Sequence, residues 1–237
     1  MILRRLEGSR FSEIVLAWEG ETVAILAGGP SLTAAQFAMV AAAHETKRLR
    51  CIAVNDSYLR APYAEVMFGA DAAWHAAHRA GKPKPELGLS AEDVRARYAA
   101  FAGLRCSVQQ NGGLAADVHV LGAGYFPIRN ALTMPGAGST ELVAGRNGAH
   151  QALNLAIRAG AARVLLLGCD GGPIDGATHH HGGHGEAISA ATWEAVRRSY
   201  SAAEGAIAAL GVDVVNCSAR SHIESFRKME LADALRL

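Results

Sequence analysis

Four histidines stand close together at His179, His180, His181 and His184, with Gly182, Gly183 and Gly185 among them. Imidazoles in such a run allow three kinds of chemistry. A neutral imidazole, with an ordinary pKa of about 6.5, takes a proton from an attacking hydroxyl near neutral pH. His179, His181 and His184 with the nearby carboxylate of Asp170 form a donor set suited to Zn²⁺ or Mn²⁺. A glycine-rich solvated loop is the third reading, and the residue types by themselves leave all three open.

Other polar residues stand where apolar runs end. Thr22 to Leu32, TVAILAGGPSL, is an apolar run closed by Gly28, Gly29, Pro30 and Ser31. A tight turn of that composition exposes backbone N–H groups able to hold a phosphate. It lacks the lysine and spacing of a Walker A loop, and it is not Gly-x-Gly-x-x-Gly. Asn55 and Asp56 follow the run Arg50 to Val54, Asp71 follows Ala64 to Phe68, and Gly168 and Asp170 follow Arg163 to Leu167. Asn216 and Ser218 follow Val212 to Val215. Asn147 and Gly148 open a helical pattern, so Asn147 can cap a helix, bind a ligand phosphate with the helix N-terminus, or do both. Asp170 suits a ribose hydroxyl, a metal or a loop cap. Trp74, His75 and His78 read as packing and surface residues, and Arg220 and His222 stand where a phosphate is reachable from the last strand's exit.

The elements that position these residues alternate. Thr22 to Ala27 is the continuous apolar run of a strand covered on both faces. A helix capped by Ser31 or Thr33 follows, then strands at Arg50 to Val54 and Ala64 to Phe68 and the helical stretch AAWHAAHRA. The stretch GAHQALNLAIRAGAA reads as an amphipathic helix ending near Gly160, and Arg163 to Gly168 as a strand. A helix from about Ser189 to Leu210 and a strand over Val212 to Asn216 complete the pattern. This rhythm predicts an α/β fold, a Rossmann-like open, mostly parallel sheet with helices on both faces. Ligand-binding residues of such sheets gather beyond the carboxyl ends of the strands. Gly81 to Ala144 carries four of the seven prolines and only short β-like pieces. It is expected to be an irregular insertion or lid at about 81–144 on a single nucleotide-binding domain spanning 1–237.

The chain has 237 residues, 50% of them hydrophobic, enough for one sizeable core. Its 23 basic and 22 acidic residues give a net charge of +1, which carries no nucleic-acid or membrane-surface signature. Cys51, Cys106, Cys169 and Cys217 are widely spaced, as buried structural thiols rather than disulfides or Cys-x-x-Cys sites. No apolar run approaches the roughly 20 residues of a membrane span, and no signal core follows the N-terminal basic residues. A cytoplasmic location is expected, with homo-oligomerisation left open.

In order and spacing the motifs resemble the bacterial sialyltransferases of the Campylobacter lipooligosaccharide type. They also resemble the broader MptE-like proteins, which include motility-associated transferases and a pterin pyrophosphokinase. The family's Gly-Asn-Gly-Pro-Ser-Leu is similar to Gly28-Gly29-Pro30-Ser31-Leu32 with the residue before it. Asn55 stands where the family has a nucleotide-contacting asparagine, and Gly168-Cys169-Asp170 matches its Gly-x-Asp. His180-His181-Gly182-Gly183-His184 resembles its His-x-x-Gly-His, and Asn216-Cys217-Ser218 resembles its closing Asn-Ser. Uncharacterised phage-type proteins carry the same string. The stretch Gly171 to Thr178 lacks the family's tyrosines.

The resemblance implies a glycosyltransferase using a nucleotide-activated sugar, a CMP-sugar, and a hydroxyl acceptor, without a tightly bound cofactor. By that likeness His184 is the catalytic base and His180 opens its motif. Gly28, Gly29, Pro30, Ser31, Asn55, Gly148, Gly168, Asp170, Asn216 and Ser218 are then expected around the nucleotide, joined by Asp71 and Asn147, which the strand-end and helix-start reading adds where the family has an asparagine and Thr-Ser-Gly. The alternative is an Mg²⁺-dependent diphosphokinase or other phosphotransferase, with Asp71, Asp170 and histidines as ligands, or a non-catalytic nucleotide-binding protein. A Zn²⁺ site at Asp170, His179, His181 and His184 is the corresponding metal alternative.

Overall fold

The computed structural model describes residues 1–108, 114–124, 140–143, 147–180 and 188–237. An antiparallel hairpin, β1 (Leu3–Arg5) with β2 (Ser12–Ile14), opens the chain. Next come β3 (Thr22–Leu26), α1 (Ala34–Glu45), β4 (Arg50–Val54), β5 (Val66–Phe68) and α2 (Ala72–Ala80). They are followed by α3 (Ala91–Ala100), β6 (Leu104–Ser107), β7 (Val118–Val120) and a small parallel pair, β8 (Gly122–Gly124) with β9 (Glu141–Val143). The last part holds α4 (Gly148–Arg158), β10 (Arg163–Leu167), α5 (Ala190–Ala209), β11 (Asp213–Asn216), β12 (Arg227–Lys228) and α6 (Leu231–Ala234).

Among the described residues, eight strands form one parallel sheet in the order β12-β11-β10-β3-β4-β5-β6-β7. Chain order runs outward from β3 on one side and from β10 on the other, so the winding reverses between them. The strands from β5 to β12 repeat the 3-2-1-4-5-6 order of doubly wound nucleotide-binding folds.

Apolar runs without polar alternation form these strands because both faces are covered. Val23, Ile25, Ile52, Val54, Val164 and Leu166 face one core, with residues of α4 and α5. Ala24, Leu26, Cys51, Ala53, Leu165 and Leu167 face the other, with residues of α1, α3 and α6. Thr33, rather than Ser31, caps α1, in a reciprocal capping box with Gln36. The four cysteines are free and buried.

Two elements differ from expectation. Helix α4 is buried over its whole length from Ala149 to Arg158, not on one face alone. Its outer side is closed by a second layer: Ile14, Trp18 and Leu142 share its core, and the Ala17 and Trp18 N–H groups donate to Ala159 O at 3.1 and 2.8 Å.

The segment expected as an irregular insertion over 81–144 contributes α3, β6 and β7, which widen the sheet beyond β5. Their pattern is weak in sequence because α3 buries only Val94 and Tyr98, and β6 and β7 are short strands. Residues 109–113 and 125–139 of that segment lie outside the described residues. No described helix is long and apolar enough to cross a membrane.

Candidate functional site

The carboxyl ends of β3 and β10 lie side by side at the reversal point, and a hydrogen-bonded lock joins them. Ala27 N–H donates to Leu167 O at 2.8 Å, and Gly29 N–H donates to Gly168 O at 2.8 Å. The Asp170 carboxylate accepts the Ser31 N–H at 2.9 Å on Oδ2 and the Ser31 hydroxyl at 2.5 Å on Oδ1. The Ser218 hydroxyl lies 2.8 Å from that of Ser31 and accepts the Gly168 N–H at 3.1 Å. Asn216, fully buried, fixes Ser218 by accepting its N–H at 3.0 Å. The strands approach so closely that a Cβ on Gly29 would stand 2.3 Å from both Asp170 Oδ2 and Gly168 O.

This lock corrects the expected role of the glycine turn. The N–H groups of Gly29 and Ser31 are committed to Gly168 and Asp170, that of Leu32 to Gly29 O, and Pro30 has none. From Gly29 to Leu32 the turn therefore has no uncommitted N–H to offer a phosphate. Asp170 changes role with it. Burial pushes its pKa up while the Ser31 donors hold it down, and its two oxygens are occupied by Ser31.

On the α4–α5 side of the lock lies a cleft of about 190 Å³. Gly28, Gly29, Asn55, Asn147, Gly168 and Asp170 line it, as the strand-end reading expects. Asn55 is exposed and has φ +51°, a left-handed conformation that asparagine adopts more readily than most residues. Asn147 caps α4 by accepting the His150 N–H at 2.8 Å, and its Oδ1 also accepts the Tyr200 hydroxyl at 3.3 Å. Gly148 packs against β4, where a Cβ would be 2.9 Å from Val54 Cγ1. Asn147, Gly148 and Ala149 bring the positive end of an 11-residue helix to the cleft wall. This terminus is an anion-compatible feature of the cleft.

The histidines divide. His180 is tethered outside the cleft: its N–H donates to Gly28 O at 2.9 Å, its Nδ1 lies 3.1 Å from the same oxygen, and its ring packs edge-to-face with Phe37, the centroids 5.9 Å apart. His179 lines the cleft, with Nδ1 3.0 Å from Thr178 Oγ1. His181 and His184 lie outside the described residues. Among the described residues no three His, Cys, Asp or Glu side chains are placed to hold a metal.

The remaining expected residues go elsewhere. Asp71 is exposed at the start of α2 and is not on the cleft, because β5 ends two strands away from β3. Pro30, Ser31 and Ser218 line a second groove, of about 630 Å³, between α1 and α6. Arg220 pairs with Asp175, and His222 Nε2 lies 3.0 Å from Pro173 O.

Asp56 was expected among the strand-end residues that rim the crevice, but its partners were not, and a second feature was not read as part of a site at all. Asp56, 4% exposed, lines the cleft beside Asn55 and is gripped from α2 and the loop after it. Trp74 Nε1 donates to it at 3.0 Å, His78 Nε2 lies 3.0 Å away, and Lys84 closes the third side. Burial alone would raise its pKa, but His78 and Lys84 hold it well below the ordinary carboxylate range. The spacing of Trp74 and His78, one helical turn apart, is the signal that both point at one partner. The other feature is the α5 wall of the cleft, where Trp193, Val196 and Tyr200 follow helical spacing.

No protein-family model matches the chain, and no curated protein sequence does. Among solved structures it is similar to the MAf glycosyltransferase from Magnetospirillum magneticum AMB-1, with a TM-score of 0.59 and 17% identity. The match covers 96% of this chain and 36% of that one, so the chain spans little more than a third of that protein's length. The chain is thus an α/β protein of Rossmann-like architecture. At the level of fold its neighbour belongs to the motility-associated glycosyltransferases that its motif order resembles.

Proposed function

We propose that the chain is a glycosyltransferase whose cleft binds a nucleotide-activated sugar, a CMP-sugar, and passes the sugar to a hydroxyl acceptor. The observation that carries this reading is the convergence of the α4 N-terminus, Asn55 and His179 on one cleft at the β3–β10 reversal. A fold neighbour that is a glycosyltransferase supports it.

In this mechanism the acceptor oxygen attacks the anomeric carbon. The bond from that carbon to the phosphate oxygen breaks, and the electron pair leaves with the nucleotide. Negative charge grows on the phosphate, where the α4 terminus stabilises it without a metal ion. Asn55 holds the nucleoside, Gly28 and Gly29 form the floor it packs on, and Asp170 keeps the two strand ends in register. The hydroxyl proton passes to an imidazole of the histidine loop; the motif resemblance assigns that role to His184. His179, three residues after Gly176, is an imidazole that lines the cleft itself.

The test is release of free nucleotide from a panel of nucleotide-sugars in the presence of an alcohol acceptor and excess chelator. Release of CMP that is undiminished by chelator and lost in His184→Ala supports the reading. Release that collapses in chelator overturns the metal-free mechanism, and Mg²⁺-dependent ATP consumption with no release from any nucleotide-sugar favours a diphosphokinase-type enzyme. Binding without turnover across the panel makes the chain a nucleotide-binding protein.

A further inference from the structure

We infer that Trp193 is the stacking platform for the nucleobase of the ligand, so that the α5 wall of the cleft is a base-binding subsite. The inference rests on the nucleotide reading of the cleft and specifies which part of the ligand each wall takes.

The two walls differ in chemistry. Polar groups come from the strand ends, the loop after β10 and the α4 terminus, at Asn55, Asp56, Thr178, His179 and Asn147. The α5 side presents Trp193 among Ile188, Val196 and Ile223, and its two hydroxyls are engaged within the protein, that of Thr192 with Ser189 Oγ at 2.9 Å and that of Tyr200 with Asn147 Oδ1 at 3.3 Å. Trp193 sits in the first turn of α5, where its N–H donates to the capping Ser189 O at 3.1 Å, so the backbone that carries the ring is fixed. Val196 and Ile223 are buried beneath this wall, whereas Trp193 is only partly buried and faces the cleft. The other two tryptophans are used differently. Trp18 is buried in the core, and Trp74 packs its ring on Tyr58, His75 and His78.

A flat aromatic ring flanked by aliphatic side chains suits a flat π-system. It buries the faces of a base and asks nothing of its edge, whereas a pyranose needs hydroxyl partners around its rim. Those partners stand on the opposite wall. The ligand therefore places its base against α5 and its phosphate and sugar toward α4, Asn55 and His179. Stacking tolerates any base, so Trp193 supplies affinity for nucleotides as a class.

The experiment is calorimetric titration of the full chain and of Trp193→Ala and Trp193→Phe with CMP, UMP, AMP, GMP and ribose 5-phosphate, followed in parallel by tryptophan fluorescence. The expected result is quenching of wild-type fluorescence by the preferred nucleotide, absent in both variants. Affinity for that nucleotide falls about 10- to 100-fold in Trp193→Ala and is largely kept in Trp193→Phe, whose ring still stacks. Ribose 5-phosphate, which has no base, binds all three proteins alike. Equal nucleotide affinity in Trp193→Ala and wild type overturns the inference, as does an equal loss for nucleotide and ribose 5-phosphate. If the wild type binds none of the nucleotides, the nucleotide reading itself fails and takes the inference with it.

Discussion

Ser31 and Asp170, 139 residues apart, are joined by two hydrogen bonds: the Ser31 N–H at 2.9 Å and its hydroxyl at 2.5 Å, each to a different carboxylate oxygen. This pair clamps the end of β3 to the end of β10, and the cleft exists beside it. Removing the hydroxyl in Ser31→Ala leaves a buried carboxylate with one donor fewer. A hydrogen bond to a charged group contributes roughly 1.5–3 kcal/mol. Urea unfolding of Ser31→Ala should show a loss in that range, whereas a neutral result would remove the clamp from the account.

Two glycines give opposite predictions from the same substitution. Gly29→Ala drives a methyl to 2.3 Å from Asp170 Oδ2 and Gly168 O, so it should cost about 3 kcal/mol or more. Gly205, exposed within α5, has open space around its Cβ position. Gly205→Ala should therefore stabilise by roughly 0.5–1 kcal/mol, since alanine gives up less backbone freedom in a helix. Melting both variants beside wild type checks the pair.

Asn147 holds the α4 terminus that the mechanism uses. Asn147→Ala removes the cap on His150 N–H and should cost about 1 kcal/mol, while Asn147→Asp keeps the acceptor and should cost less. The corresponding readout on function is nucleotide affinity. Asn147→Asp adds a negative charge where the phosphate is expected, so it should weaken nucleotide binding more than Asn147→Ala does, reversing the order of the two variants.

Acid should unfold the protein in two stages. Burial holds His75 and His150 neutral, with pKa values pushed down to about 4. The unfolded chain binds their protons near pH 6.5, so this stability is complete above that value and is lost as pH falls toward 4, at about 1.4 kcal/mol per pH unit for each group. Asp56, held below the ordinary range, adds a term that is present above about pH 4 and is lost below it. Urea midpoints between pH 8 and 3 should fall in this order. Asp56→Asn should flatten the lower stage while leaving the upper one; an unchanged lower stage would mean the Asp56 network does not carry it.

The strands that build the centre of the sheet were legible because each is a short apolar run with both faces covered: Thr22–Leu26, Arg50–Val54 and Arg163–Leu167. At one edge Arg105 to Val108 and Val118 to Leu121 read as short β-like pieces, but not as members of the sheet, because Leu104–Ser107 carries a charge and a hydroxyl among four residues and Val118–Val120 is too short for a period. Arg227–Lys228, at the other edge, was not read as a strand because two charged residues carry no pattern.

In the site, Asn55, Asn147 and Gly168 were found by their positions at element ends, and the structure brings them to one cleft. Asp71 had the same signature but belongs to a strand away from the reversal point, and strand order is not written in any local pattern. The Ser31–Asp170 clamp was hidden for the same reason. It turns residues that read as ligand donors into a structural joint. Trp193 was missed because helical spacing alone makes it a core or surface residue; only the cleft in front of it gives it another use.

The most direct test of the central claim is thermal unfolding of the full chain with CMP, CMP-sugars, UDP-sugars and ATP with Mg²⁺, each at high excess and with chelator in the magnesium-free arms. A ligand at 100 times its Kd that binds only the folded chain should add about 2.7 kcal/mol. The account predicts a selective rise in Tm with CMP and its sugars in chelator. No rise with any nucleotide would contradict it.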